Sequence, residues 1–436
     1  MNLRSTYDST LVFNPRLVFR FLSLIPLLVL LGCGENTYNE IEMMPSPSLY
    51  AESSFNPFPA DIDKELQEQS KLFYVTDREK AGPDDKQRAY NNQRGQLSRA
   101  GTASVSLSPS VQNWEEFVEI TMRGNRDRKY LLNVEGVTEI GVLPYSVSEL
   151  YPNAPSNAEM KQAGREFARQ INGQLAFSSN KDVHIYVHGY NVDFDYSTLV
   201  ARELEHFLGY QGAFVAYNWA ATPNRLAYFR DQETAAATRR NLRSLIEFLS
   251  ENTNAERINI IGYSAGSRLA FEVTYQIALL NRSGGGPRLG NVILISSDLD
   301  RSFVGHALAD GILKAVDQLS IYTSGTDAAL GMSSFVFGRD RLGQTWSKDE
   351  GDVWPELETA LAELEKLEII DVTDAEESSV GNGHSFFRTS PWASSDIFVS
   401  ILTPYKAKER GLVREQGKAV WTFPQDYPER LSAIGQ

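Results

Sequence analysis

Ile258-Asn259-Ile260-Ile261-Gly262-Tyr263-Ser264-Ala265-Gly266 is the stretch that decides how the chain reads. An apolar run of strand length enters Gly-x-Ser-x-Gly, and helical periodicity follows from Ser267 to Leu280. A serine on such a turn sits in a strained backbone, so the residues two before and two after it must be small for strand and helix to approach. Gly262 and Gly266 meet that need. The same turn aims the Ala265 N–H and the helix start at the place where an oxyanion would develop. Ser264 is therefore the candidate nucleophile and Ala265 a candidate oxyanion donor. The pattern alone is weak in a chain with 31 glycines, and its flanking strand and helix carry the weight. The competing reading is a serine that merely caps the helix.

Outward from this stretch, short β-branched or aromatic runs alternate with helical patterns. The spacing predicts strands over 183–187, 213–218, 258–262, 292–296, 319–322 and 367–372, with helices over 196–208, 230–250, 267–280 and 354–365. Near-continuous apolar strands separated by helices imply parallel βαβ units covered on both faces, a doubly wound, mostly parallel sheet whose strand C-termini form the ligand edge. In the first half, 72–76, 103–107 and 117–122 read as strands, and an apolar piece over 137–143 precedes a helix over 157–176. The run Ser283-Gly284-Gly285-Gly286-Pro287 lacks the Gly-Lys-Ser/Thr ending of a phosphate loop and reads as a helix-to-strand connection.

Val183-His184-Ile185-Tyr186-Val187-His188-Gly189-Tyr190-Asn191 is a strand ending in His-Gly and a polar turn. Gly189 lets a backbone come close to the serine turn, and Tyr190 is the candidate second oxyanion donor, with His188 shaping the loop. Around a serine elbow the acid and then the histidine follow the nucleophile in the chain. Only His306 and His384 follow Ser264. His306 falls too early, whereas His384 lies in Val380-Gly381-Asn382-Gly383-His384-Ser385 beyond the last parallel strand, where a base should hang. For the acid, Asp327 after the 319–322 strand sits in the expected slot. Asp298 and Asp300 are one strand early and held in reserve, and Asp371 and Asp374 border the last strand.

The set Val187-His188-Gly189-Tyr190-Asn191, Asn218-Trp219 and Gly262-Tyr263-Ser264-Ala265-Gly266 resembles a bacterial α/β-hydrolase family of the esterase/lipase superfamily, catalogued mainly as a domain of unknown function. The likeness runs from Tyr74-Val75-Thr76-Asp77-Arg78 to the region of His384. Many relatives carry His-Ser-Met-Gly where this chain has Tyr263 and Ala265. The resemblance implies an α/β-hydrolase fold and serine-dependent ester hydrolysis, and it favours Asp327 as the acid. The expected chemistry is a Ser264–His384–Asp327 triad working through an acyl-enzyme on a small-molecule or lipid ester. Acyl transfer or phospholipid cleavage would use the same triad, and a non-catalytic envelope lipoprotein on a hydrolase scaffold is the alternative outside enzymology. No cofactor is expected. Five histidines without His-Glu-x-x-His spacing disfavour a catalytic metal, and no dinucleotide fingerprint is present.

The N-terminus speaks to location. Arg4, Arg16 and Arg20 precede the uncharged run Phe21 to Leu31, too short to span a bilayer comfortably and typical of an export signal. Leu30-Leu31-Gly32-Cys33 resembles the lipobox of bacterial lipoproteins and gives the single cysteine of the chain a purpose, as the lipid-modified first residue of a mature protein anchored to the cell envelope. Loss of residues 1–32 removes three basic residues and one acidic one, taking the formal charge from −14 to −16. So acidic a chain, with pI near 5.0, does not fit nucleic acid and would not cling electrostatically to an anionic bilayer. Residues 33–66, with Pro45, Pro47, Pro57 and Pro59, read as a flexible tether, and 67–436 as one catalytic domain, which a 42% hydrophobic composition amply supports.

Overall fold

The computed structural model describes residues 39–53, 55–58, 72–84, 89–146, 151, 154–282, 284, 286–331, 341–344 and 355–434. In chain order the elements are β1 (Glu40–Glu42), α1 (Ser48–Ala51), β2 (Leu72–Lys80), β3 (Tyr90–Ser108), α2 (Trp114–Met122), β4 (Leu131–Val142), α3 (Asn157–Phe177), β5 (Asp182–Val187), α4 (Phe194–Phe207), β6 (Ala213–Asn218), α5 (Tyr228–Asn252), β7 (Arg257–Tyr263), α6 (Ala265–Asn281), β8 (Leu289–Ile295), α7 (Arg301–Ala309), β9 (Val316–Thr323), α8 (Pro355–Ala362), β10 (Leu367–Asp371), α9 (Phe386–Thr389), α10 (Pro391–Leu402), β11 (Val420–Thr422) and α11 (Tyr427–Ser432). One sheet holds all the strands in the order β1-β4-β3-β2-β6-β5-β7-β8-β9-β10-β11. From β2 to β11 every neighbouring pair is parallel; β3, β4 and β1 extend one edge antiparallel.

Alternation along the central strands feeds two cores. Val183, Ile185 and Val187 of β5, with Ile258 and Ile260 of β7, face the layer of α3, α5, α6 and α7, while Tyr186 and Ile261 face the layer of α4 and α10. That is the doubly wound sheet the strand and helix spacing predicts. After β5 the chain steps to β6 on one side, and it returns past β5 to lay β7 on the other. Between the carboxyl ends of β5 and β7 the winding reverses, and at that point an open α/β sheet forms its ligand crevice.

Two expectations do not hold. Residues 117–122, read as a strand, belong to α2: the Asn113 side chain accepts a hydrogen bond from the Glu116 N–H at 2.9 Å, Glu115 and Glu116 fill the first turn, and Trp114, Ile120 and Thr121 turn inward at helical spacing. Residues 39–53 and 55–58, expected within the tether, pack as an arm, and the fold begins well before residue 67. Leu49 and Tyr50 are buried, the Tyr50 ring stacks on Phe207 and Phe398, and the Leu49 N–H donates to Ser395 Oγ at 2.9 Å. Burying each such side chain stabilises by about 1.5–3 kcal/mol, enough to override a proline-rich composition. The arm also meets a buried ion pair: Arg388 Nε donates to Glu203 Oε2 at 2.6 Å, and the Met44 N–H donates to Glu203 Oε1 at 2.7 Å. Residues 1–38 and 59–71, including the signal segment and Cys33, lie outside the described residues.

Candidate active site

β7 delivers Ser264 onto the first turn of α6 with φ 53° and ψ −123°, a left-handed conformation that L-residues rarely adopt. The backbone is pinned there, since the Ser264 N–H donates to the Ile295 carbonyl at 2.9 Å and its carbonyl accepts from the Ser267 N–H at 2.9 Å. Its side chain makes no capping bond to the helix, so the helix-cap reading of this serine is not what the geometry supports. The flanking glycines are steric requirements. A Cβ on Gly262 would stand 2.7 Å from Ser267 Cα, and one on Gly266 would stand 2.2 Å from the carbonyl oxygens of both Val187 and His188. Gly266→Ala is accordingly expected to destabilise the protein by about 3 kcal/mol, lowering the thermal midpoint by roughly 6–12 °C. A melting curve superimposable on wild type would contradict this packing.

Ser264, His384 and Asp327 are brought together. The Ser264 hydroxyl donates to His384 Nε2 at 2.9 Å, and His384 Nδ1 lies 2.7 Å from Asp327 Oδ2. A carboxylate accepts only, so it selects the tautomer with the proton on Nδ1 and leaves the Nε2 lone pair turned to the serine. The Asp327 side chain is fully buried and that of His384 is 11% exposed. Asp327 Oδ1 accepts from the Leu330 N–H at 3.0 Å, and the Asn382 carbonyl accepts from the Ala328 N–H at 2.9 Å, which joins the acid's turn to the histidine loop. That loop needs its glycines: Gly383 has φ 67°, and a Cβ there would strike the Thr326 carbonyl at 2.4 Å. The His384 carbonyl accepts from Ser296 Oγ at 2.9 Å. On the other side the Tyr263 ring lies 5.2 Å from the imidazole and 4.8 Å from Phe387, with its hydroxyl 3.0 Å from Ser385 Oγ. No local motif marks Tyr263, Ser296 or Asn382 as supports of the histidine, because their partners are remote in the chain.

The reserve acids are occupied elsewhere. Asp298 accepts from Tyr228, Gln232 and Arg268, Asp300 caps α7 through the Ser302 N–H, and the Asp371 carboxylate accepts from the Thr373 N–H. Asp374 and His306 are exposed.

A Cβ on Gly189 would lie 3.0 Å from Ser264 Cβ, so the Gly189 backbone stands against the nucleophile turn, and Ala265 is the first residue of α6. Two buried groups shape this loop. The His188 ring stacks on Trp219 at 5.1 Å, its nitrogens face the Gly189 and Trp219 carbonyls, and the Trp219 indole N–H donates to the His188 carbonyl at 2.7 Å. Burial, with help from the nearby Arg78 charge, pushes the His188 pKa down to about 3, against the pull of the two carbonyls, which favour the charged ring. Arg78 ends the Tyr74–Arg78 motif inside the protein, its guanidinium donating to the carbonyls of Val192 and Ala221 and to Asn92 Oδ1. Desolvation lowers its pKa to about 10 against the opposing charges of Asp193 and Asp77, which leaves it cationic at neutral pH.

Among the described residues no group of three or more His, Cys, Asp or Glu side chains is arranged to hold a metal ion, and no helix is long and apolar enough to cross a membrane.

A doubly wound sheet carrying a serine on a strained turn after its central strand, with imidazole and carboxylate in line behind it, defines an α/β hydrolase. The chain belongs to the family described as alpha/beta hydrolase of unknown function (DUF900), whose family model matches residues 163–399. Among solved structures it is similar to a lipase-esterase related protein from Clostridium acetobutylicum ATCC 824, at 12% identity over 51% of this chain and 94% of the other, with a TM-score of 0.29. It is also similar to a tributyrin phosphonate-inhibited esterase B from Lactobacillus rhamnosis, at 11% identity over 52% of this chain and 78% of the other, with a TM-score of 0.25. No curated protein matches it.

Proposed function

We propose that this hydrolase is a serine esterase that cleaves carboxylic esters through an acyl-enzyme on Ser264. The observation that carries the reading is the unbroken pair of hydrogen bonds from Ser264 through His384 to Asp327. His384 Nε2 takes the hydroxyl proton as Ser264 Oγ bonds to the acyl carbon, and Asp327 stabilises the imidazolium that forms. The resulting oxyanion is held by the N–H groups of Tyr190 and Ala265, a type of contact worth about 3–4 kcal/mol each in the transition state. Collapse breaks the ester C–O bond, and the imidazolium proton goes to the departing alkoxide. Water then attacks the acyl-enzyme, His384 takes its proton, and the carboxylic acid leaves with Ser264 restored. Incubation with a fluorophosphonate followed by peptide mapping tests this: the adduct is expected on the peptide bearing Ser264, with parallel loss of aryl-ester turnover. An unlabelled protein, or an adduct mapping elsewhere, would overturn it.

The location reading rests on sequence. Cys33 behind an apolar run is proposed as a lipid-modified anchor to the bacterial envelope. Cys33→Ser is expected to abolish incorporation of radiolabelled palmitate in cells; incorporation that survives the substitution removes Cys33 from that role.

A further inference from the structure

Three aromatic rings lead away from the serine turn. Tyr190, next to Gly189, meets Tyr228 edge-on at 5.1 Å, and Tyr228 meets Phe229 at 5.9 Å. The last of them opens to solvent: Phe229 is 60% exposed, and Leu226, in the short turn that leads into α5, is 69% exposed. Exposed large apolar side chains at the end of a ring ladder that starts beside the serine turn mark a surface that a ligand covers. The ladder is also held rigid. The Tyr228 hydroxyl donates to Asp298 Oδ2 at 2.9 Å, and that carboxylate, only 2% exposed, also accepts from Gln232 at 2.9 Å and from Arg268 Nε at 3.2 Å. A fixed shelf binds without first having to be ordered.

Position assigns the shelf to one half of the substrate. His384 must reach the leaving oxygen to return its proton, so the alcohol half of the ester lies towards the imidazole. The rings beside His384, Tyr263 and Phe387, pack into the core on the α4 and α10 face, whereas Tyr190 packs into the core on the α5 and α6 face. The acyl half therefore points to the Tyr190–Tyr228–Phe229 side. Resting on the esterase reading, we propose that Tyr190, Tyr228, Phe229 and Leu226 form the acyl-binding shelf, and that the substrates are esters of medium-chain or aromatic acids.

p-Nitrophenyl acetate, butyrate and octanoate share a leaving group and differ only in the acyl chain. Wild type is expected to show a kcat/KM that rises with chain length. Phe229→Ser and Leu226→Ser, both at exposed positions, are each expected to lower the octanoate-to-acetate ratio of kcat/KM about tenfold, the scale of one apolar side-chain contact. Phe177→Ser, at a 76% exposed phenylalanine ending α3, serves as the control and should leave the ratio unmoved. A ratio unchanged in the Phe229 and Leu226 variants overturns the shelf while leaving the esterase reading intact. So does a shift seen only when the alcohol is lengthened at fixed acetyl. Absence of any Ser264-dependent turnover across the series overturns both.

Discussion

Ser264→Ala is expected to lower kcat for a short aryl ester by about 10⁶-fold, to leave KM within a few-fold of wild type and to abolish fluorophosphonate labelling. The size follows from the geometry. The Ser264 hydroxyl is the group that His384 Nε2 faces at 2.9 Å, and without it the imidazole has no positioned nucleophile to activate. Members of such a triad act as a unit, so losing one forfeits most of the joint effect, and the residual rate comes from the oxyanion donors and from substrate binding. The fold should be indifferent to the change. The strained backbone is pinned by the Ile295 and Ser267 contacts, both made by main-chain atoms of residue 264, and the side chain caps nothing. Circular dichroism and the melting curve should therefore overlay those of wild type, which separates a lost nucleophile from a lost fold. Labelling that persists in the variant would take Ser264 out of the reaction.

How far such a site is legible from sequence depends on how local its determinants are. The elbow is local: the glycine spacing around Ser264 states a steric condition, and the distances at Gly262 and Gly266 meet it. The parallel strands are nearly as plain, because a strand buried on both faces must be apolar throughout. β6 has the bounds its sequence suggests, and β5 starts one residue early. His384 is legible by elimination along the chain order. Legibility fails where partners are remote. β3 runs for 19 residues through Asn91-Asn92-Gln93-Arg94 and Ser98-Arg99, a polar stretch that no periodicity marks as strand, and it is fixed by pairing with β2 on one side and β4 on the other. The arm that carries Leu49 and Tyr50 is stabilised by residues as distant as Phe207, Ser395 and Phe398, which its proline-rich composition does not reveal. Asp298 shows the same limit: nothing within its own segment distinguishes a triad acid from a carboxylate that fastens Tyr228, Gln232 and Arg268.

That ambiguity gives the substitution of Asp327 its force. Asp327→Asn is expected to lower kcat by about 10⁴-fold with little change in KM or in melting temperature. An asparagine nearly preserves the volume and can still accept the Leu330 N–H, so the turn that joins Asp327 to the histidine loop stays in place. What changes is the proton inventory. Asp327 Oδ2 only accepts and therefore keeps the proton on His384 Nδ1; an amide NH₂ at the same 2.7 Å donates and favours the opposite tautomer, with the proton on Nε2 facing Ser264. That imidazole offers the serine a donor where a base is needed. Asp298→Asn provides the discriminating comparison, because its carboxylate lies against Tyr228, Gln232 and Arg268 and not against His384, so any loss should fall chiefly on long-acyl substrates. Near wild-type turnover on acetate in Asp327→Asn, with a 10⁴-fold loss in Asp298→Asn, would transfer the role of the acid to residue 298 and undo the triad as drawn.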